Sequence, residues 1–261
     1  MKAMILAAGL GTRLRPLTSD RPKALVEVAG RTLLEITLRR LQRFGISAVI
    51  INVHHFANSV VEYLKANDDF GMKIEISRED DLLDTGGGLR KAADFFLRDD
   101  SAQDSRDEPF LLHNVDVISS VDLAAMVKFH REQNALVTLA VRQRESSRQL
   151  LFDESLQLCG RRVTEAAEAE MVCPAQQAQA RAFSGIHVVS PRIFPLMEAA
   201  LNKDGLHEEH AFPIIPMYLR LAGEGEKIVA FRTDNDYWRD LGTVASLQQA
   251  AVDIERSVVE T

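Results

Sequence analysis

Residues 1–30 read MKAMILAAGLGTRLRPLTSDRPKALVEVAG, and this stretch decides the fold class. Met4, Ile5 and Leu6, continued by Ala7 and Ala8, form the short apolar run that a buried strand presents. Gly9 and Gly11 follow and allow a tight turn where backbone can come close to a ligand, because glycine carries no Cβ. With the Thr12 hydroxyl, they stand where the carboxyl end of a strand opens onto the crevice above a sheet, the place where α/β folds bind ligands. Arg13, Arg15 and Lys23 come next, and Pro22 stiffens the approach to the lysine. Turn amides backed by fixed cations suit phosphate, although a plain strand-to-helix turn is the alternative reading.

Two common phosphate motifs do not fit. GLGTRL half-matches the dinucleotide fingerprint, but Leu14 stands where the third glycine belongs, and Pro16 and Pro22 forbid one continuous helix after the turn. No GK[ST] follows the glycines, which excludes a P-loop. The loop must wrap. Two arginines and a lysine in a wrapping loop suit a triphosphate, whose departing pyrophosphate develops charge that fixed cations stabilise.

Outward from this stretch, TLLEITLRRLQRFG carries Leu33, Leu34, Leu38 and Leu41 at helical spacing and stops at Gly45. AVIINV, ANSVVEYLKAND, MKIEIS, GGLRKAADFFL and PFLLHNV then alternate strand and helix, which predicts a mostly parallel sheet covered by helices. The charged RDDSAQDSRDE, residues 98–108, reads as a solvated, mobile loop. In the second half, LLFDESLQLCG predicts two short strands around an acidic turn and FSGIHVVS a further strand. Helices are expected around Ile193–Leu201 and Ala211–Leu221, and KIVAFRT with DYWRDLG predicts a closing hairpin before a helix from Val244. No repeat or linker interrupts the chain, so 1–261 reads as a single domain, with a nucleotide-binding part over about 1–120 and a sugar-binding, closing part over about 121–261.

A length of 261 residues with 46% hydrophobic residues supports a packed enzyme-sized core. The net charge of -7 argues against nucleic acid and anionic membrane as partners, so any anion site must be local. Cys159 and Cys173 lack metal-ligand spacing, the first residues form a strand in place of a signal peptide, and no apolar run reaches the roughly 20 residues of a membrane span. The expectation is a reduced, soluble, cytoplasmic protein, monomeric or homodimeric.

LAAGLGTRLRPLTSDRPKAL resembles the signature of the sugar-1-phosphate nucleotidyltransferases, and the likeness continues through LLDTGGGLRKA, HNVDV, FSGIHVVSP and YWRDLGT. In size and wording the chain is most similar to the short bacterial muramic acid-1-phosphate uridylyltransferases and mannose-1-phosphate guanylyltransferase-like proteins, which lack an appended β-helical domain. The resemblance implies a Rossmann-like mostly parallel mixed sheet flanked by helices, of the nucleotide-diphospho-sugar transferase type, with a smaller sugar-binding cover. It also implies transfer of a nucleotidyl group from a nucleoside triphosphate to a sugar-1-phosphate in nucleotide-sugar supply for the bacterial cell envelope, with UTP favoured over GTP.

By that likeness Gly9, Gly11, Thr12 and Arg13 hold the nucleotide's phosphates, and Lys23 contacts the phosphate at the reacting centre. Thr85, Gly86 and Gly87 read the base through backbone groups, with Ala8 on the other side. The glycine run Gly86–Gly88 costs a helix stability, roughly 1 kcal/mol for each glycine relative to alanine, so close approach of a flat ligand is the expected reason for it. Asp116 and Asp240, which alone read as cap or loop residues, are implied to hold Mg²⁺. That ion takes one or two carboxylates together with substrate phosphates and water, so two aspartates make a full protein share. No Ser-His or Cys-His arrangement is needed, because the sugar phosphate is itself the nucleophile.

The chain departs from the family pattern at two places. Val115 stands where many members carry glycine before the first metal aspartate, which reshapes a sugar floor that includes Asn114 and Gly185. The EKP motif, whose lysine binds the sugar phosphate, is missing: VTEAAEAEMVC offers Glu165 and no lysine. Arg148 is the nearest replacement, or else an exposed turn arginine. His54 and His55 point to opposite faces of a strand and lack a third ligand. Two other functions compete. A nicotinamide oxidoreductase needs an acidic residue at the end of the second strand, and AVIINVHH has none. A catalytically silent nucleotide-binding regulator of the same fold would have lost Lys23, Asp116 or Asp240, and all three are present.

Overall fold

The computed structural model describes residues 1–98, 107–163, 168–205 and 211–258. Its first half runs β1 (Lys2–Leu6), β2 (Glu27–Val28), β3 (Arg31–Thr32), α1 (Leu33–Arg43), β4 (Ala48–Val53), α2 (Ala57–Ala66), β5 (Lys73–Arg78), α3 (Asp84–Lys91), α4 (Ala93–Leu97) and β6 (Phe110–Asn114). Next come β7 (Val117–Ser119), α5 (Leu123–Gln133), β8 (Val137–Arg142), β9 (Arg148–Phe152), β10 (Leu158–Val163), β11 (Glu170–Met171) and β12 (Gln179–Val189). The chain closes with α6 (Ile193–Lys203), α7 (Ile214–Gly223), β13 (Ile228–Arg232), β14 (Trp238–Asp240) and α8 (Val244–Glu255). Most of the charged 98–108 stretch, and Glu165, lie outside the described residues.

The elements gather into two compact units, one of Met1–Asp84, Leu112–Val121 and Asp236–Thr261, the other of Thr85–Leu111 and Asp122–Asn235. In the first unit β1 pairs with β4 and β4 with β5, both parallel. Val49–Val53 are buried without a break, as expected of a parallel strand covered on both faces. Helix α1 supplies part of the cover through Leu33, Leu34, Ile36, Leu38 and Leu41. Thr32 starts it by accepting the Glu35 N–H, a cap that contributes about 1 kcal/mol. Gly45, at φ 75°, ends it: its N–H reaches Gln42 O at 2.9 Å, and that of Ile46 reaches Leu41 O at 3.1 Å.

The second unit mixes strand directions. β8 pairs antiparallel with β12 and parallel with β13, while β9 joins β12 and β10, both antiparallel. Phe96, Phe110 and Phe194 stack in its core, with ring centroids 3.9 Å apart for Phe96 and Phe110 and 5.7 Å apart for Phe110 and Phe194. The fold is thus the expected mixed, mostly parallel sheet flanked by helices.

Two local expectations are corrected. The closing hairpin does not form: β13 pairs with β8, whereas β14 pairs with β7. Both strands have the pattern a hairpin needs, but long-range partners take their hydrogen bonds. The helix read from Gly87 to Leu97 is two helices meeting at Ala92, and the first begins at Asp84, so the glycines lie inside it.

Candidate active site

The glycine loop is built by local bonds. Gly11 sits at φ 63°, and its carbonyl accepts from Leu14 N at 2.9 Å and from Thr18 Oγ1 at 2.8 Å. A Cβ at Gly11 would come within 3.0 Å of Thr18 Cγ2 and 3.1 Å of Lys23 Cβ, so both backbone conformation and crowding require glycine. Thr12–Leu14 form one 3₁₀ turn around buried Leu14, and the loop then turns again, with Leu17 N bonded to Leu14 O and Ser19 N to Pro16 O. It wraps as the prolines require. Gly9, Thr12 and Arg13 are exposed, while Ala8 is buried.

Lys23 begins a second 3₁₀ turn after extended Pro22 and is only 8% exposed. Its ammonium pairs with the Asp116 carboxylate through Oδ2. An ion pair this far from water holds its geometry more firmly than a surface pair, and removal of either partner leaves a costly charge behind.

Asp116 follows β6 and directly precedes β7, and the β7/β14 ladder sets Asp240 opposite Val117. Leu241 N donates to Asp116 O at 2.8 Å, and Gly242 N donates to Asp240 Oδ1 at 2.8 Å. A Cβ on Gly242 would collide with the Arg13 guanidinium and lie 2.6 Å from Asp240 Oδ1, so Arg13, Asp240 and Gly242 share one small space. Thr243 then caps α8 by accepting from Ser246 N. Arg13, Lys23, Asp116 and Asp240, scattered in sequence, therefore meet within the first unit. Asp116 Oδ1 and Asp240 Oδ2 make no hydrogen bond among the described residues. Two hard carboxylates with an oxygen each to spare are a donor set that suits magnesium.

Asn114 ends β6, partly exposed, and its carbonyl accepts from His113 Nδ1 at 2.8 Å. Burial, then the nearby Arg40 charge, pushes the His113 pKa down to about 4. His54 Nδ1 is engaged with Glu79 O at 2.9 Å.

The remaining predicted residues belong to the second unit. Gly86 N and Gly87 N both donate to Phe212 O, at 2.9 and 3.2 Å, and Thr85 Oγ1 accepts from Ile214 N at 2.9 Å. A Cβ on Gly86 would strike the Phe212 ring and lie 2.7 Å from its carbonyl oxygen. The close approach expected of a ligand is thus made at Gly86 by the chain's own Phe212, and two amides expected to meet a base are bonded to it. Gly185 lies buried in β12 at φ 77°, where the pairing with β8 slips between Phe183 and His187. Only a residue at ease with positive φ fits this irregularity. Arg148 is exposed at the start of β9, with its N–H bonded to Ser146 Oγ.

Sequence reasoning missed Phe212, which no pattern marks, and Asn52 and Glu79, buried polar residues beside the loop. An asparagine inside the otherwise apolar AVIINV was the available signal.

The profile of the nucleotidyl transferase family matches residues 2–257. The N-acetylmuramate alpha-1-phosphate uridylyltransferase of Caulobacter vibrioides is 31% identical over 234 residues, 85% of each chain. A mannose-1-phosphate guanyltransferase of Yarrowia lipolytica is 28% identical over 244 residues, 93% of this chain but 61% of its own length. In three dimensions HddC from Yersinia pseudotuberculosis, solved with GMP-PN, superimposes with a TM-score of 0.72 at 18% identity, covering 97% of this chain and 99% of that one. The chain belongs to the nucleotidyl transferase family, as a sugar-1-phosphate nucleotidyltransferase.

Proposed function

We propose that this chain joins a sugar-1-phosphate to UTP, giving a UDP-sugar and pyrophosphate. The observation that carries this reading is the Lys23–Asp116 ion pair beside the glycine loop, with the Arg13 guanidinium and the Asp240 carboxylate both next to Gly242. Two anions must be brought together and one must leave, so positioning and charge neutralisation are the main catalytic demands. The wrapping loop binds the triphosphate through Gly9, Gly11 and Thr12. Arg13 and Lys23 hold positive charge where the α-phosphate and the departing pyrophosphate lie, and the sugar phosphate oxygen attacks in line. Asp116 and Asp240 would hold magnesium, which when bound neutralises phosphate charge. In the second unit, Thr85, Gly86 and Gly87 serve the base by shaping the glycine-bearing segment, whose Gly86 and Gly87 N–H groups are held by Phe212 O. Also in the second unit, Gly185 and Arg148 serve the sugar phosphate. We place the activity in the cytoplasm, in supply of nucleotide-sugars for the cell envelope.

UTP is favoured because the 31% identical relative, alignable over most of both chains, is a uridylyltransferase. GTP with mannose-1-phosphate is the second reading, favoured by a guanyltransferase that aligns over 93% of this chain. The test is a panel of nucleoside triphosphates against several sugar-1-phosphates, scored by pyrophosphate release. The expected result is highest kcat/KM with UTP and an amino-sugar or hexose phosphate. A preference for GTP would establish the second reading, and no release with any pair would overturn both.

A further inference from the structure

Behind the glycine loop lies a buried polar relay with no part in the chemistry above. Ala7 N donates to Asn52 Oδ1 at 2.8 Å, Asn52 Nδ2 donates to Glu79 Oε1 at 2.7 Å, and Glu79 Oε2 accepts from Leu83 N at 3.0 Å. Asn52 is 3% exposed and Glu79 4%. All four residues belong to the first unit. Asn52 sits in β4 opposite Leu6 on one side and Ser77 on the other, among buried Ile50, Ile51 and Val53. An apolar residue would suit that strand better, because a buried carboxylate and amide are costly unless every bond is made.

The donor and acceptor pattern allows one orientation of the Asn52 amide. An N–H can only donate and a carboxylate can only accept, so Oδ1 must face Ala7 and Nδ2 must face Glu79. Ala7 is the last residue before Ala8 and the phosphate loop, and Leu83 precedes Asp84, where the glycine-bearing helix begins. The relay therefore ties the entry of the loop to the end of the segment after β5.

We propose that Asn52 is a positioning residue for nucleotide binding: its amide, oriented by Glu79, fixes the Ala7 N–H and with it the start of the phosphate loop. This rests on the nucleotidyltransferase reading and adds a residue to it. Asn52→Asp sets two acceptors against each other. Glu79→Gln leaves one acceptor oxygen for two donors. The double variant Asn52→Asp/Glu79→Gln restores every bond, with only the one between positions 52 and 79 reversed in direction. The carboxylate then at position 52 accepts from Ala7 N and from the side-chain amide then at position 79, whose oxygen accepts from Leu83 N.

The experiment measures KM for UTP and for the sugar phosphate, kcat, melting temperature and calorimetric binding of UTP alone, in the wild type, both single variants and the double. Each single variant should weaken UTP binding and raise its KM by about ten- to a hundredfold, the worth of one or two lost buried hydrogen bonds, with the sugar phosphate KM little changed. The double variant should return to within a few-fold of wild type. Unchanged UTP binding in folded single variants would overturn the proposal, as would a loss that the double variant does not recover or one that strikes both substrates equally. Failure of the function reading is separate: it would show as wild-type protein that binds UTP but releases no pyrophosphate. Wild type that binds no nucleoside triphosphate would overturn both.

Discussion

The Lys23 ammonium is paired with the Asp116 carboxylate, and the two side chains are 10% and 17% exposed. A lysine held this way is preorganised, so its charge is in place before the reaction begins. Lys23→Ala should lower kcat by about two to three orders of magnitude, as loss of a fixed donor at developing charge does, with a smaller change in the triphosphate KM. A loss confined to KM would assign Lys23 to ground-state binding instead.

Asp116→Asn keeps the volume of the side chain and removes its charge. Turnover should vanish while circular dichroism remains that of a folded protein with a melting temperature lowered by the unpaired Lys23 ammonium, and excess chelator should abolish wild-type activity until magnesium is restored. Full activity of the variant, or of wild type in chelator, would show that Asp116 and Asp240 hold no essential metal.

Arg148→Ala should raise KM for the sugar phosphate by about ten- to a hundredfold, the worth of a charge-assisted hydrogen bond, and leave the triphosphate KM nearly unchanged. If the triphosphate KM rises instead, Arg148 does not replace the missing lysine.

Gly86→Ala pushes a methyl group into the Phe212 ring and towards its carbonyl oxygen. Overpacking of this kind costs about 1–3 kcal/mol, which should lower the melting temperature by several degrees. Because the carbonyl clash persists, Phe212→Ala in the same chain should recover little of that loss. A melting temperature unchanged by Gly86→Ala would show that the segment yields easily.

His130 is 3% exposed, with Nδ1 2.9 Å from Thr138 Oγ1. Burial first, then the charges of Arg131 and Arg192, lowers its pKa to about 4. The unfolded chain, with a histidine pKa of about 6.5, binds a proton that the folded chain refuses between about pH 6.5 and 4. Stability from this group is therefore full above pH 6.5 and is lost as pH falls through that window, at about 1.4 kcal/mol per unit of difference. Thermal unfolding at pH 7.5 and pH 5 should show a smaller drop for His130→Gln than for wild type. Equal drops would mean that His130 titrates normally in the fold.

The strand-turn-proline pattern of residues 1–30 and the strand-helix alternation after it were enough for the fold class, because side-chain periodicity, glycine freedom and the ring of proline act over a few residues. The geometry of the glycine loop was legible for the same reason: the positive φ of Gly11 and the extended Pro22 before Lys23 are local needs met by local residue types. What the sequence could not determine is which residues meet across distance. KIVAFRT and DYWRDLG look alike as strand formers, yet one joins β8 and the other β7, because the energy of a ladder lies in its partner and not in the strand. That choice brings Asp240 beside Asp116. Likewise Gly86 announces that something comes close without saying what, and only the folded chain supplies Phe212, from a distant segment whose own sequence gives no sign of it.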